Sequence, residues 1–188
     1  MRTMWHISGR LGNQMFQFAY IYSQMRKGLI PDVYMQDEKY FADVKGDIKQ
    51  IYGEGIGELP YVSIHVRRGD YVNNDFYVDL FANGYYERAM AEFPDEKFLV
   101  FSDDIEWCKE QCVFKGCDFS EGYGEVEDMN RMASCRAHII ANSSYSWWAA
   151  YLSGKKTVAP KDWYTLTSPV DGHQKIPSTR LLDHWIQA

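Results

Sequence analysis

The sequence lacks the features that identify several large classes of protein. No run of 18 apolar residues occurs in its 188 residues, so no membrane-spanning helix is predicted. The first residues have no apolar signal-peptide core, and we therefore expect a cytoplasmic protein. Lys and Arg total 20 against 26 for Asp and Glu, and a net charge of −6 argues against a nucleic-acid-binding protein.

Two nucleotide-binding fingerprints and the usual zinc pattern are also missing. Neither G-x-G-x-x-G nor G-x-x-x-x-G-K-[ST] occurs, which disfavours dehydrogenases, methyltransferases and P-loop enzymes. The four cysteines form no C-x-x-C pair, so we predict no metal site. We expect all four thiols to be reduced and structural.

What the chain does contain is an alternation of strands and helices after residue 60. Apolar residues make up 46% of the sequence, which is enough for a hydrophobic core. The alternation predicts an α/β fold with a parallel sheet and right-handed crossovers. Strands are predicted at 4–8, 61–66, 98–101, 138–141 and 157–159, and helices at 14–27, 37–50, 85–93, 126–135 and 144–153, with a further helix that ends near 111.

A glycine-rich connection at 53–60 is the candidate domain boundary. It separates an N-terminal part, 1–58, from a part with alternating strands and helices, 59–165, in which the candidate nucleotide-binding segments described below lie. The polar tail, 166–188, is expected to pack back through one apolar turn near its end.

The most informative segment is the predicted strand 61–66, because it leads directly into two arginines. Arg67 and Arg68 stand at the carboxyl end of the strand, where ligands bind in open α/β sheets. Guanidinium groups match phosphate oxygens bidentately, so the pair predicts a site for a phosphate-bearing ligand. Internal pairing of either arginine with Asp70 or Glu87 is the alternative.

A second polar segment, Asn-Ser-Ser-Tyr-Ser-Trp-Trp at 142–148, follows a predicted strand and begins a helix. Free backbone N–H groups, the helix dipole and several hydroxyls are typical of an anion site. Ordinary helix capping by Asn142 or Ser143 is the alternative.

Three further groups are candidates on weaker grounds. Asp103 or Asp104, after the strand at 98–101, is a candidate to contact a ribose or base, and equally to cap the following helix. His65 is a candidate to face the cleft or to be an ordinary hydrogen-bonded strand residue. The turn Gly9-Arg-Leu-Gly12 permits close backbone approach but matches neither glycine fingerprint.

Taken together and in order, these segments resemble the galactoside α-1,2-fucosyltransferase family, a glycosyltransferase family 11-like pattern. The resemblance is carried by GRLGNQMFQF at 9–18, HVRRGDY at 65–71, FSDDIEW at 101–107, NSSYSWWAA at 142–150 and APKDW at 159–163. The chain is similar to the family over most of 61–163 and its first ~25 residues, and it is shorter than family members in the N-terminal half.

The resemblance implies a GT-B-like architecture with two Rossmann-like halves facing across a cleft. It also implies inverting, metal-independent transfer from GDP-L-fucose to a terminal β-galactoside, with GDP-L-fucose as donor substrate and no cofactor. A non-catalytic nucleotide-sugar-binding remnant, or a fucosyltransferase with another acceptor, is the alternative. Peripheral contact with the inner face of a membrane stays open, and no nucleic-acid partner is expected.

Site residues follow from the same motifs. Arg67 and Arg68 would hold the diphosphate of GDP, with Asp70, and His65 behind it, as candidate base. The helix start would close on the phosphates through Asn142, Ser143, Ser144 and Ser146. The nucleoside side would be faced by Asp103 and Asp104. The opposite wall of the cleft would be lined by Gly9, Gly12, Asn13 and Gln14.

Overall fold

The structure is a computed structural model that describes residues 9–27, 38–165 and 181–188. Within these ranges, six parallel strands form one sheet with helices on both faces, which confirms the predicted α/β fold with a Rossmann-like sheet. The strands are β1 (Leu59–Val66), β2 (Phe98–Ser102), β3 (Asp118–Phe119), β4 (Cys135–Ile139), β5 (Thr157–Ala159) and β6 (Ile186–Gln187). The helices are α1 (Leu11–Lys27), α2 (Lys45–Tyr52), α3 (Tyr85–Ala91), α4 (Ile105–Lys109), α5 (Glu125–Ser134) and α6 (Ser144–Ser153).

The strand order is β3-β2-β1-β4-β5-β6, so the direction of winding reverses between β1 and β4. Ile64 of β1 aligns with Val100 of β2 on one side and with Ile139 of β4 on the other. In sheets of this order, a crevice opens outside the carboxyl ends of the strands at the reversal point. The two arginines that follow β1 therefore lie at the place where such folds bind ligands.

Alternating side chains of the strands build a separate hydrophobic core on each face of the sheet. Leu99 and Phe101 of β2 pack with α1, α5 and α6, whereas Val100 between them packs with α3 and α4. The strand residues at both cores are almost fully buried, as expected for a parallel sheet covered on two sides.

Helix α1 packs on α6 through a cluster of aromatic rings. The ring of Phe16 lies 4.7 Å from those of Trp147 and Trp148, and Phe41 stacks on Trp148 at 5.4 Å. All four side chains are buried. Residues before 58 thus share a core with the sheet-forming part, and the boundary proposed at residue 58 stays a prediction.

Several elements match the sequence prediction closely. Helix α6 and strand β5 have the predicted bounds, and β1, β2, α3 and α5 differ by one or two residues at their ends. Strand β4 begins at Cys135, three residues earlier than predicted, because Cys135 and Ala137 are buried while Arg136 is exposed, the alternation of a strand. The predicted strand at 4–8 lies outside the described residues.

Three predictions of local structure were wrong or incomplete. The helix predicted at 37–50 is two short 3₁₀ turns followed by α2, and the fully buried Phe41 lies between the turns. Strand β3 was not predicted. The chain end forms strand β6, because the edge of β5 offers backbone groups to pair: the Ala188 N–H donates to the Ala159 carbonyl at 3.1 Å.

None of the helices in the described part of the chain is both long and apolar enough to cross a bilayer. All four cysteines are free thiols, and those of Cys108 and Cys135 are buried. Burial raises the pKa of the Cys135 thiol to about 12, which keeps it protonated and unreactive.

Candidate functional site

The carboxyl ends of β1, β2 and β4 carry the polar segments singled out in the sequence. Arg67 follows β1, Asp103 follows β2, and Asn142 comes three residues after β4 ends. Since the strands are parallel, these ends lie along one edge of the sheet, on both sides of the reversal point. The sequence therefore predicted correctly which segments share this edge.

Arg67 is held by two carboxylates. One Nη donates to Asp103 Oδ2 at 2.7 Å, and the other donates to Asp70. The Arg67 side chain is only 11% exposed, whereas that of Asp70 is 57% exposed. The guanidinium also lies 5.5 Å from the ring centre of Tyr71. Arg67 is thus held in place and its charge is neutralised. This is the internal pairing with Asp70 that the sequence offered as the alternative to phosphate binding.

Arg68 is held differently, by one edge and one face of its guanidinium. Its Nε pairs with Asp104 Oδ2 at 3.4 Å, and its Cζ lies 3.6 Å from the ring centre of Trp107. Among the described residues, neither Nη of Arg68 has a hydrogen-bond partner. These two groups present the donors that a phosphate could accept bidentately.

Asp103 and Asp104 connect β2 to the arginines. Asp103 Oδ1 accepts from the backbone N–H of Arg68 at 2.8 Å, while its other oxygen binds Arg67. Asp104 caps α4 by accepting from the Trp107 N–H at 3.3 Å. Both aspartates therefore organise the arginines, and the predicted contact with a nucleoside stays a prediction.

Gly69 makes the approach of Asp103 possible. A Cβ at position 69 would overlap Asp103 Oδ2 and come within 3.7 Å of an Arg67 Nη. The glycine between the arginines and Asp70 is required by packing at the site, independently of its backbone angles.

The start of α6 is capped and largely enclosed. Ser143 is the N-cap, with its hydroxyl accepting from the Tyr145 N–H at 3.4 Å. Ser144 donates to Asn13 Oδ1 at 3.0 Å, and the fully buried Ser146 accepts from the Ala141 N–H and donates to the Ser143 carbonyl. The hydroxyls thus have partners within the chain, which supports the capping alternative for Ser143 and an internal role for Ser146.

Asn142 binds two chain segments together. Its Nδ2 donates to the carbonyls of Val78 at 3.1 Å and of Trp163 at 3.0 Å, and the residue is 2% exposed. The buried amide of Asn142 therefore has a structural role, because it connects two segments of the backbone. What the start of α6 can still contribute to a ligand is the positive end of its helix dipole.

The turn before α1 lies against α6. A Cβ on Gly12 would come within 2.7 Å of the backbone of Ser144 and Tyr145, and the indole of Trp148 donates to the Gly12 carbonyl at 3.0 Å. Asn13 contacts Ser144, and Gln14 donates to the Gly9 carbonyl at 2.7 Å. The resemblance had put these residues across a cleft, but the structure places Gly12 and Asn13 in contact with the start of α6.

His65 is buried at the end of β1, next to the ring of Tyr145 at 5.5 Å. Burial, with a smaller contribution from the charge of Arg67, lowers the pKa of His65 to about 3. Its Nδ1 has no hydrogen-bond partner among the described residues. The imidazole is therefore neutral at physiological pH and a weak acceptor of protons.

Two contacts at this edge were missed by the sequence reasoning. Trp107 supports Arg68, and Tyr71 links Arg67 to the start of α6 by donating to the Asn142 carbonyl at 3.1 Å. Trp107 is the last residue of the motif FSDDIEW, and Tyr71 is the last residue of HVRRGDY. Attention to the aromatic residues beside each charged group would have found them.

Comparison with known proteins agrees with the motifs. The family described as Glycosyl transferase family 11 matches residues 33–175. An alpha-1,2-colitosyltransferase of Escherichia coli is 35% identical over 164 residues, covering 70% of this chain and 54% of the relative. The O-antigen biosynthesis glycosyltransferase WbnK of Escherichia coli is 33% identical over 138 residues, covering 66% and 43%.

A mammalian relative is similar to this chain over a stretch of comparable length. The galactoside 2-alpha-L-fucosyltransferase Sec1 of Mus musculus is 30% identical over 138 residues, covering 67% of this chain and 37% of the relative. The chain thus spans about half the length, or less, of the curated relatives it matches. The family match extends over most of the chain and includes every strand end described above except that of β6. This protein belongs to glycosyl transferase family 11.

Proposed function

We propose that this chain is a glycosyltransferase that moves L-fucose from GDP-L-fucose to a terminal β-galactoside in α-1,2 linkage. Family membership supports glycosyl transfer, and the names of the mouse fucosyltransferase and the bacterial colitosyltransferase support a deoxysugar donor and the linkage. Because the chain spans about half of these relatives, the complete reaction is part of the proposal.

The observation that carries the proposal is the setting of Arg68. Its guanidinium lies against Trp107 and is tied through Nε to Asp104, so its two Nη groups point their donors away from both supports. A guanidinium fixed in this way at the reversal point of the sheet is suited to the diphosphate of a nucleotide sugar. Arg67 needs to exchange Asp70 for a phosphate oxygen before it can contribute.

The reaction forms one bond and breaks another at the anomeric carbon of fucose. The acceptor hydroxyl oxygen attacks that carbon from the face opposite the diphosphate, the bond to the diphosphate oxygen breaks, and GDP leaves with the electron pair. Negative charge on the departing diphosphate is stabilised by Arg68 and by the N-terminal dipole of α6. No metal is required for this step, because the guanidinium and the dipole supply positive charge.

The acceptor hydroxyl must lose a proton, and Asp70 is the base in this proposal. His65 is a poorer candidate, since a pKa of about 3 leaves it with little affinity for a proton. Asp70 is exposed and adjacent to the arginines. Its release from Arg67 when the diphosphate binds would free the carboxylate for this role.

A second candidate is transfer of colitose, favoured by the 35% identical colitosyltransferase. A third is binding of a nucleotide sugar without transfer, which needs only the arrangement of Arg68 described above. Incubation with galactosides and either GDP-fucose or nucleotide-activated colitose, with products identified by mass spectrometry, separates the first two. Donor binding by calorimetry without product identifies the third.

The test of the site compares three arginines by calorimetry with GDP. We expect Arg68→Ala to weaken GDP binding at least tenfold and to reduce turnover by roughly 10²–10³. Arg67→Ala should also weaken binding, and Arg136→Ala, which removes an exposed arginine paired with Glu96, serves as the control. Unchanged GDP affinity in Arg68→Ala would contradict the phosphate assignment.

A further inference from the structure

We propose that four aromatic residues beside the arginines bind the terminal galactose of the acceptor. This aromatic platform consists of Tyr71, Phe76, Tyr77 and Tyr164, all of which are partly exposed. The inference rests on the proposed function and adds an acceptor subsite to it. It places part of the acceptor site in the nucleotide-binding part of the chain.

The rings of the platform are closely packed. Tyr71 and Tyr77 stack at 3.6 Å between ring centres with an 8° angle between their planes. Tyr164 lies 5.5 Å from Tyr77 and 4.7 Å from Phe76. Because Tyr71 and Tyr77 cover one face of each other, the platform offers a ligand the outer faces and edges of its rings, which are apolar and onto which the C–H face of a pyranose can pack.

The platform is held rigidly in place by the backbone. Tyr77 and Tyr164 form an antiparallel bridge, and the Val78 N–H donates to the Trp163 carbonyl at 3.3 Å. Asn142 ties the same two segments by donating to both the Val78 and Trp163 carbonyls. A buried amide under the bridge fixes the platform relative to α6, which a precise sugar subsite requires.

The location of the platform fits the sugar end of the donor. Tyr71 contacts both Arg67 and the Asn142 carbonyl, so the platform begins where the diphosphate would lie. Asp103 and Asp104, which follow β2, occupy the other side of the arginines, where sheets of this order bind the ribose. Tyr164 follows β5, on the opposite side of β1. With the nucleoside towards β2, the sugar points towards β4 and β5, and the acceptor must meet it there.

Polar groups flank the rings. Asn73 and Asp75 are exposed, and their side chains have no hydrogen-bond partner among the residues that the structure describes. Asn73 has a left-handed backbone with φ of 58°, a conformation that Asn adopts more readily than most residues. An aromatic surface with free amide and carboxylate groups beside it matches a sugar, which has an apolar face and a rim of hydroxyls.

The test uses the full chain with GDP-fucose and lactose as acceptor. Tyr77→Ala should raise the KM for lactose about tenfold while leaving the Kd for GDP within twofold, and Tyr77→Phe, which keeps the ring, should restore the KM. Tyr123→Ala is the control: Tyr123 is 42% exposed but lies after β3 and packs on Arg131. We expect its KM for lactose to be normal.

Two surface variants make the test independent of folding. Asn73→Ala and Asp75→Asn change exposed side chains and should each raise the KM for lactose severalfold with an unchanged melting temperature. If these variants and folded Tyr77→Ala all keep a normal KM for lactose, the proposed acceptor subsite is wrong. Weaker GDP binding in Tyr77→Ala also overturns it, because the platform would then stack the base. Absence of GDP binding by the unaltered chain would instead refute the proposed function.

Discussion

Mild acid should destabilise this protein through two buried histidines. His65, next to the arginines, and His138, in β4, are almost fully buried. Desolvation lowers the pKa of each to about 3, helped by the charge of Arg67 near His65 and of Lys155 near His138. His138 Nδ1 lies 2.8 Å from the Ser63 hydroxyl, and its other nitrogen has no hydrogen-bond partner among the described residues.

The sign and the size of the effect follow from these values. An unfolded histidine titrates near pH 6.5, so below that pH the unfolded chain binds protons that the folded protein does not. The contribution of the two neutral histidines to the unfolding free energy is complete above pH 6.5 and is lost as the pH falls towards 3. At pH 5 the loss in unfolding free energy is about 2 kcal/mol for each histidine, or about 4 kcal/mol for both.

Urea unfolding at pH 7.5 and pH 5.0 measures this difference. His65→Gln and His138→Gln should each reduce the pH dependence by about 2 kcal/mol relative to the unaltered chain, because glutamine does not titrate. His184→Gln removes an exposed histidine and should leave the pH dependence unchanged. If all three variants lose the same stability between the two pH values as the unaltered chain, burial of neutral histidines is not the cause.

Three further predictions concern packing and the arginines. Gly12→Ala should lower the unfolding free energy by about 1–3 kcal/mol in urea, because its Cβ would overlap Ser144, whereas Gly46→Ala, with open space around it, should not destabilise. Trp107→Leu should weaken GDP binding three- to tenfold in calorimetry, since Arg68 loses its aromatic support. Asp70→Asn should tighten GDP binding severalfold by freeing Arg67, yet reduce turnover; weaker binding would contradict this competition.

The sequence predicted which segments share one edge of the sheet, because each motif follows a strand. In a parallel sheet, every strand end lies at the same edge, so the motifs at 65–71, 101–107 and 142–148 had to be brought together. The hydrophobic alternation of β1 and β2 predicted the carboxyl ends of both strands to within one residue of their positions in the structure. The fold and the location of these segments could thus be predicted from local patterns.

The pairing of charges could not be predicted in the same way. The sequence left open whether the arginines bind a ligand or a carboxylate, and Asp70, Asp103 and Asp104 all proved to contact them. Which carboxylate contacts which guanidinium depends on how closely the end of β2 approaches the turn at Gly69. That distance is set by tertiary packing, and no periodic pattern in the sequence encodes it. Strand β6 was missed for a related reason, since two residues are too few for a pattern.

Three carboxylates around two guanidiniums give this group of side chains a local charge of about −1, which by itself disfavours a diphosphate. The arrangement is nevertheless consistent with transfer, because Asp103 and Asp104 fix the arginines before the ligand arrives and leave little reorganisation for the reaction. Asp70 differs from them: it is the most exposed of the three and holds Arg67 by the Nη that Asp103 does not use. A diphosphate can displace it into water, so binding converts an ion pair into a free carboxylate beside the reacting sugar. Donor binding and activation of the acceptor would then be coupled through one residue, which is why Asp70→Asn should affect affinity and turnover in opposite directions.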